Sequence, residues 1–201
     1  MFKKTRNLLI SITSPLSSLA LLVFSSAPFM TFISVYMKTG GFSELTIGLT
    51  HSSFYTGYLI GSVWAEKPIK RIGYIRSFTA FASLYVATVM VQGLFLSATV
   101  WIIMRLTAGI CISALYIVIE SWLLVQSSDE KRGRTLSIYM LILYASQAFS
   151  QLLLTLIDII SLLPFLIFGL LGSISVIPVA ITYKKSPELE ESDVKKSISS
   201  L

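Results

Sequence analysis

The residues of this chain best placed to do chemistry fall in one line: Arg105, Gly109, Ser113, Tyr116 and Glu120 are separated by 4, 4, 3 and 4 positions. At 100° per residue that spacing confines them to one narrow face of a helix. The surrounding run, Val100 to Val125, is otherwise strongly apolar. A permanently charged guanidinium there suits the gripping of a carboxylate or phosphate, or a change in the proton affinity of a nearby acid. Arg105 and Glu120 cannot serve each other, because the 15 residues between them rise about 22 Å along a helix. Each needs its own partner. The plainer alternatives are a snorkelling Arg105 and a Glu120 paired with Arg132 or Arg134.

Other reactive groups are few. The single cysteine, Cys111, excludes a disulfide framework and a thiolate cluster, and the single histidine, His51, excludes a His-pair metal site and argues against a catalytic triad. No metal centre, cofactor or catalytic residue is expected, and no Walker A sequence is present to suggest direct use of ATP. His51 can titrate near neutral pH and couple a proton to a cycle, although a lone helical histidine is more often a hydrogen-bonded packing residue.

Further polar stripes accompany the first. Tyr144, Gln147 and Gln151 share a face and suit either cavity lining or bonding between helices. Ser11, Ser14, Ser18, Ser25 and Tyr36 share another. A third holds Thr46, Thr50, Ser53, Gly57 and Gly61, whose GxxxG spacing favours close helix packing over ligand contact.

The elements that must position these residues follow from composition. Of 201 residues 54% are apolar and 13% charged, with 16 Lys+Arg against 10 Asp+Glu and a mean hydropathy of +0.79. Soluble domains carry roughly 25% charge, so the apolar excess must face lipid. Six apolar runs are long enough to cross a bilayer: about 8–37, 45–65, 78–96, 100–125, 136–157 and 159–183. The expected fold is all-α, a polytopic bundle of six transmembrane helices spanning 1–183. Pro15 and Pro28 in the first run imply a bend or a start near Ser14.

Charge placement orients the spans. Fourteen of the sixteen basic residues lie before span one, between spans two and three, between four and five, or after six. The positive-inside rule therefore puts both termini in the cytoplasm. The formal net charge of +6 thus reports topology, not nucleic-acid binding, since the basic residues are scattered between apolar runs. A cleaved signal peptide is disfavoured because the apolar run continues through Ser25-Ser26-Ala27. The other turns are short, 38–44, 97–99 and Asp158, and residues 184–201 read as a polar cytoplasmic tail.

With this topology the chain resembles the N-terminal six-helix half of a major facilitator superfamily transporter. Arg105-Leu106-Thr107-Ala108-Gly109 matches the family's RxxxG pattern in helix four, whose arginine faces the central cavity and is tied to substrate or proton coupling. Lys70-Arg71-Ile72-Gly73-Tyr74-Ile75-Arg76 looks like a divergent form of the basic signature between helices two and three. Glu120-Ser121-Trp122-Leu123 followed by Arg132-Gly133-Arg134-Thr135-Leu136 is similar to the YcaD-like branch of bacterial transporters. The resemblance implies a cytoplasmic gate at Glu66, Lys70, Arg71, Gly73, Arg76, Arg132, Gly133 and Arg134. The usual acidic residue of the loop signature is missing where Lys70 stands, and Glu66, one turn earlier, is its substitute.

The function so implied is secondary transport of a small solute, in a bacterial inner membrane, by a half that works with a second six-helix half or as a homodimer. A truncated or split gene product is the expectation from length. Arg105, Gly109, Ser113, Tyr116, Glu120, Tyr144, Gln147 and Gln151 would line the cavity, with Gly57 and Gly61 in packing. The rival class is a non-transporting membrane scaffold, for which the small-residue stripes would be packing faces alone.

Overall fold

The computed structural model describes residues 2–182, with side chains from residue 13 onward. The side chains of Lys3, Lys4, Arg6 and Ser11, and the tail expected over 184–201, lie outside the described residues. The long helices are α1 (Phe2–Thr39), α2 (Glu44–Trp64), α4 (Tyr74–Leu94), α5 (Ala98–Gln126), α6 (Arg132–Ser150) and α7 (Leu163–Ile174), with short helices α3 (Glu66–Ile72) and α8 (Val176–Ala180). No strand occurs among the described residues.

Proline and serine chemistry sets several boundaries. α1 is helical through both Pro15 and Pro28, and its membrane-length apolar stretch runs over 13–39. In lipid, neighbouring helices can re-satisfy the carbonyls that a proline frees. Pro178 acts differently, since it lacks an N–H for the carbonyl of Ile174, four residues earlier. α7 ends at Ile174, and α8 resumes the same span after Ser175, whose hydroxyl bonds the Gly172 carbonyl at 2.6 Å. At the start of α2, Ser43 caps the helix by accepting from the Thr46 amide at 3.2 Å.

The connection before α7 is longer than the single Asp158 expected. α6 stops at Ser150, a 3₁₀ turn covers Gln151–Thr155, and regular helix resumes only at Leu163. Asp158 organises that stretch by accepting from the Ile160 amide and the Ser161 hydroxyl, at 3.1 and 2.9 Å. Local side-chain bonding of this kind competes with helix.

Five stretches are long and apolar enough to cross a membrane: 13–39, 74–94, 98–126, 129–155 and 163–180. α2 matches α4 in length, 21 residues each, but its Ser, Thr, Gly and His content keeps it out of that group. The polar stripe of α2 is the reason, and that stripe is turned inward: Thr50, Ser53, Gly57 and Gly61 are buried.

Packing follows a repeated scheme. α1 packs on α6 and α7, α5 on α2 and α4, and α4 on α7. Exchanging α1, α2 and α4 for α5, α6 and α7 leaves that set of pairings unchanged, so the bundle consists of two three-helix units. The end of α1 meets the starts of α5 and α7 and the end of α6 at one side of the bundle, so the second unit runs inverted relative to the first. α5 is the hub, with Trp101, Arg105, Ser113, Leu115 and Trp122 among its buried residues. At the end that carries the α1–α2 turn, aromatic rings join three helices: Phe32 and Phe165 lie 5.0 Å apart edge to face, and Tyr36 stacks on Trp101 at 5.8 Å.

Candidate functional site

Arg105 is the largest charged group inside the bundle, with 1% of its surface exposed. Helix α5 delivers it into the space between α1 and α2. There the guanidinium carbon sits 4.4 Å from the centroid of the Phe54 ring and 5.7 Å from that of Phe29. Its Nη2 donates to the thioether sulfur of Met30, a weak acceptor. Its Nε is buried without a partner. The ion pairs among the described residues are Lys38–Glu44, Lys70–Glu66 and Arg132–Asp129, so none neutralises Arg105. A buried guanidinium held by two π faces and a sulfur retains unsatisfied capacity for an anion.

The rest of the α5 stripe divides between packing and polar contacts. Gly109 meets the backbone of α2 directly, where a Cβ would collide with the Phe54 carbonyl and stand 2.8 Å from the Tyr58 nitrogen. Ser113 is buried beside Gly61, a Cβ on which would lie 3.0 Å from the Ser113 Cβ and 2.7 Å from the Ile110 carbonyl. Gly57 abuts the carbonyl of Leu106 in the same way. These three glycines let α2 and α5 touch backbone to backbone, which sets the depth at which Phe54 meets Arg105.

Further along α5, Tyr116 is half-buried, with its ring 6.5 Å from that of Tyr58 and Ser26 of α1 as hydrogen-bonding neighbour. Glu120 is half-buried, makes no ion pair with Arg132 or Arg134, and lies within electrostatic reach of Tyr58 and Tyr139. On α6, Tyr144 is 62% exposed. Gln147 is half-buried, and Gln151 accepts from the Thr31 hydroxyl of α1 at 3.2 Å.

Residues of the loop signature lie at the opposite end. Glu66 and Lys70 pair at 3.0 Å within α3, both largely exposed, so Glu66 engages its own helix. Arg71 and Arg76 are exposed. Gly73 adopts φ 84°, a conformation that favours glycine, and divides α3 from α4. Arg132 pairs with Asp129 at 2.9 Å, while Gly133 has open space around it and Arg134 is exposed. The structure therefore brings Arg105, Gly109 and Ser113 together with α2, places Tyr116 and Glu120 in a tyrosine-rich region further along, and keeps the loop residues apart from both.

Polarity-based reading passes over Met30, Phe29 and Phe54, the immediate contacts of Arg105, because apolar side chains in a membrane span carry no signal of their own. It also passes over the bond between Ser34 of α1 and His51 of α2, 2.7 Å from Oγ to Nε2. The cue available was that both are polar groups near the same turn.

Comparison with known proteins agrees with this architecture. The family model described as Major Facilitator Superfamily matches residues 16–200. Relatives include the uncharacterized MFS-type transporter YcaD of Escherichia coli O45:K1 (strain S88 / ExPEC), 30% identical over 180 residues, with 89% of this chain and 47% of the relative covered. The protein of the same description from Escherichia coli O7:K1 (strain IAI39 / ExPEC) is 29% identical over 188 residues, covering 92% and 49%. The chain thus spans about half the length of the curated relatives it matches. A helical bundle with several membrane-length apolar helices, and a match over nearly all its length, make it a multi-pass membrane protein that belongs to the major facilitator superfamily, a family of transporters.

Proposed function

We propose that the chain moves a small solute across a bacterial inner membrane as one six-helix half of a secondary transporter, with α2 as the sixth crossing and both termini in the cytoplasm. The half rocks against a second bundle, either another six-helix half or a second copy, and exposes a site between them alternately to each side. Arg105 contacts the solute, Tyr116, Glu120, Tyr144, Gln147 and Gln151 border the path, and the loops around Lys70–Arg76 and Arg132–Arg134 meet at the cytoplasmic end.

One observation carries this reading: a fully buried arginine with no carboxylate partner and an unpartnered Nε. Burying a charge in a membrane protein costs several kcal/mol unless it is compensated, so its retention points to a ligand that compensates it. A scaffold held by the α2–α5 glycines needs no such group. The test is Arg105→Lys in membranes where the chain is assembled with the bundle that completes it. Expression and insertion should persist while solute uptake falls at least tenfold, since an ammonium cannot replace the planar fork. Full uptake at normal expression would make Arg105 an anchor, and lost expression would make it structural.

A further inference from the structure

His51 and Arg105 stand at the same depth. Each is seven residues into its helix, α2 starting at Glu44 and α5 at Ala98, which is about 10 Å of rise. The starts of these helices lie at the same end, as the stacking of Tyr36 on Trp101 requires. Phe54, which carries the guanidinium on its ring, is one helical turn from His51 on the same side of α2. His51 is half-buried and lies within electrostatic reach of Arg105.

We propose that His51 and Arg105 form one coupled site, in which His51 takes up a proton when an anion of the carboxylate or phosphate class binds Arg105. The proposal rests on the reading of Arg105 given above and adds to it the proton site, the ligand charge and their linkage.

The groups around His51 make the linkage specific. The helices packed against α2 are α1, α3 and α5. From α5 the charged neighbour is Arg105, and from α1 the imidazole meets Ser34, which does not titrate. α3 belongs to the opposite end. On α2 itself Tyr55 lies within electrostatic reach of Arg105, and Glu44, two turns out, is engaged by Lys38. With the anion absent, the fixed charge of Arg105 opposes a second positive charge on His51. A bound oxyanion cancels that opposition, so anion and proton each favour the other by the same factor. Met30 is the group to be displaced: a flexible thioether occupying a guanidinium donor is readily exchanged for a stronger acceptor.

Charge and atoms balance simply. Imidazole binds one proton from the adjoining aqueous phase and becomes imidazolium, with Nε2–H donating to Ser34 Oγ. A monoanion plus one proton returns the site to the charge it has when empty, so the loaded and empty forms cross the membrane potential alike. Glu120 cannot hold this proton, being 15 residues along α5 from Arg105, about 22 Å of rise.

Because the chain has one histidine, ¹⁵N-imidazole NMR of the full chain in lipid nanodiscs reads His51 alone. Its titration midpoint would be followed in sodium chloride, sodium acetate and sodium phosphate at equal ionic strength, with acetate or phosphate binding measured separately by calorimetry. The expected result is a midpoint raised by about half a pH unit or more by acetate or by phosphate, whichever calorimetry shows to bind. Arg105→Gln should raise the chloride midpoint similarly and abolish the anion effect, whereas Arg105→Lys should keep the chloride midpoint near wild type. An anion that binds in calorimetry without moving the midpoint overturns the coupling and leaves the Arg105 reading standing. Failure of both anions to bind overturns both. The wild-type arm needs no variant, so poor folding of Arg105→Gln does not blunt the test.

Discussion

Gly57 of α2 sits against the main-chain carbonyl of Leu106 in α5 so closely that a single added methyl at position 57 would overlap it. Gly109 repeats the relationship in reverse, with the Phe54 carbonyl as its neighbour. Without lipid-excluding drive between helices, such close approach is a main source of association, through dispersion contacts along the whole seam.

Gly57→Val should therefore cost at least the roughly 1–3 kcal/mol of a typical overpacking substitution, because the obstacle is backbone and cannot swing away. Thermal unfolding in detergent would show a lowered midpoint. Gly48, on the same helix, has nothing within 4 Å of its position, and Gly48→Ala should instead be neutral or stabilise by up to about 1 kcal/mol. Equal losses from both substitutions would refute the seam.

Phe54→Leu should destabilise the fold by about 1–2 kcal/mol, as a ring 4.4 Å from a desolvated guanidinium is lost. Phe29, at 5.7 Å, should contribute less to Arg105, so Phe29→Leu combined with Arg105→Gln should be closer to additive than Phe54→Leu with Arg105→Gln. Double-mutant cycles on unfolding midpoints separate the two.

Ser25 ties α1 to α7 by donating to the Phe168 carbonyl at 2.6 Å, with the Tyr85 hydroxyl 3.4 Å away. Ser25→Ala should lower stability by about 0.6–1 kcal/mol, the usual scale for interhelical bonds in membranes. A change within error would mean that the carbonyl finds another donor.

Topology is open to a chemical test. With buried Cys111 replaced by serine, Thr39→Cys at the C-terminal end of α1 should react with an impermeant maleimide added to intact cells. Ser128→Cys, between α5 and α6, should react only after lysis. Both positions are exposed, so labelling reads sidedness, and reaction of Ser128→Cys in intact cells would reverse the proposed orientation.

The sequence alone determined what is periodic or additive. Runs of about 20 apolar residues announced membrane helices, and the 4, 4, 3, 4 spacing from Arg105 to Glu120 put those residues on one face, because helix geometry is local and repeats every 3.6 residues. The GxxxG of Gly57 and Gly61 marked a packing face for a similar reason. Only the tertiary structure decided which helix meets that face. Gly109 and Ser113 share the stripe of Arg105 yet are engaged by α2, and Gln151 bonds Thr31 from 120 positions away. The single-residue turn at Asp158 gave way to a longer unwound stretch because side chains there bond their own backbone. The surroundings of Arg105, a sulfur and two phenyl rings, are ordinary lipid-compatible residues in the sequence, and they acquire meaning only where three helices converge on a charge without a counter-ion.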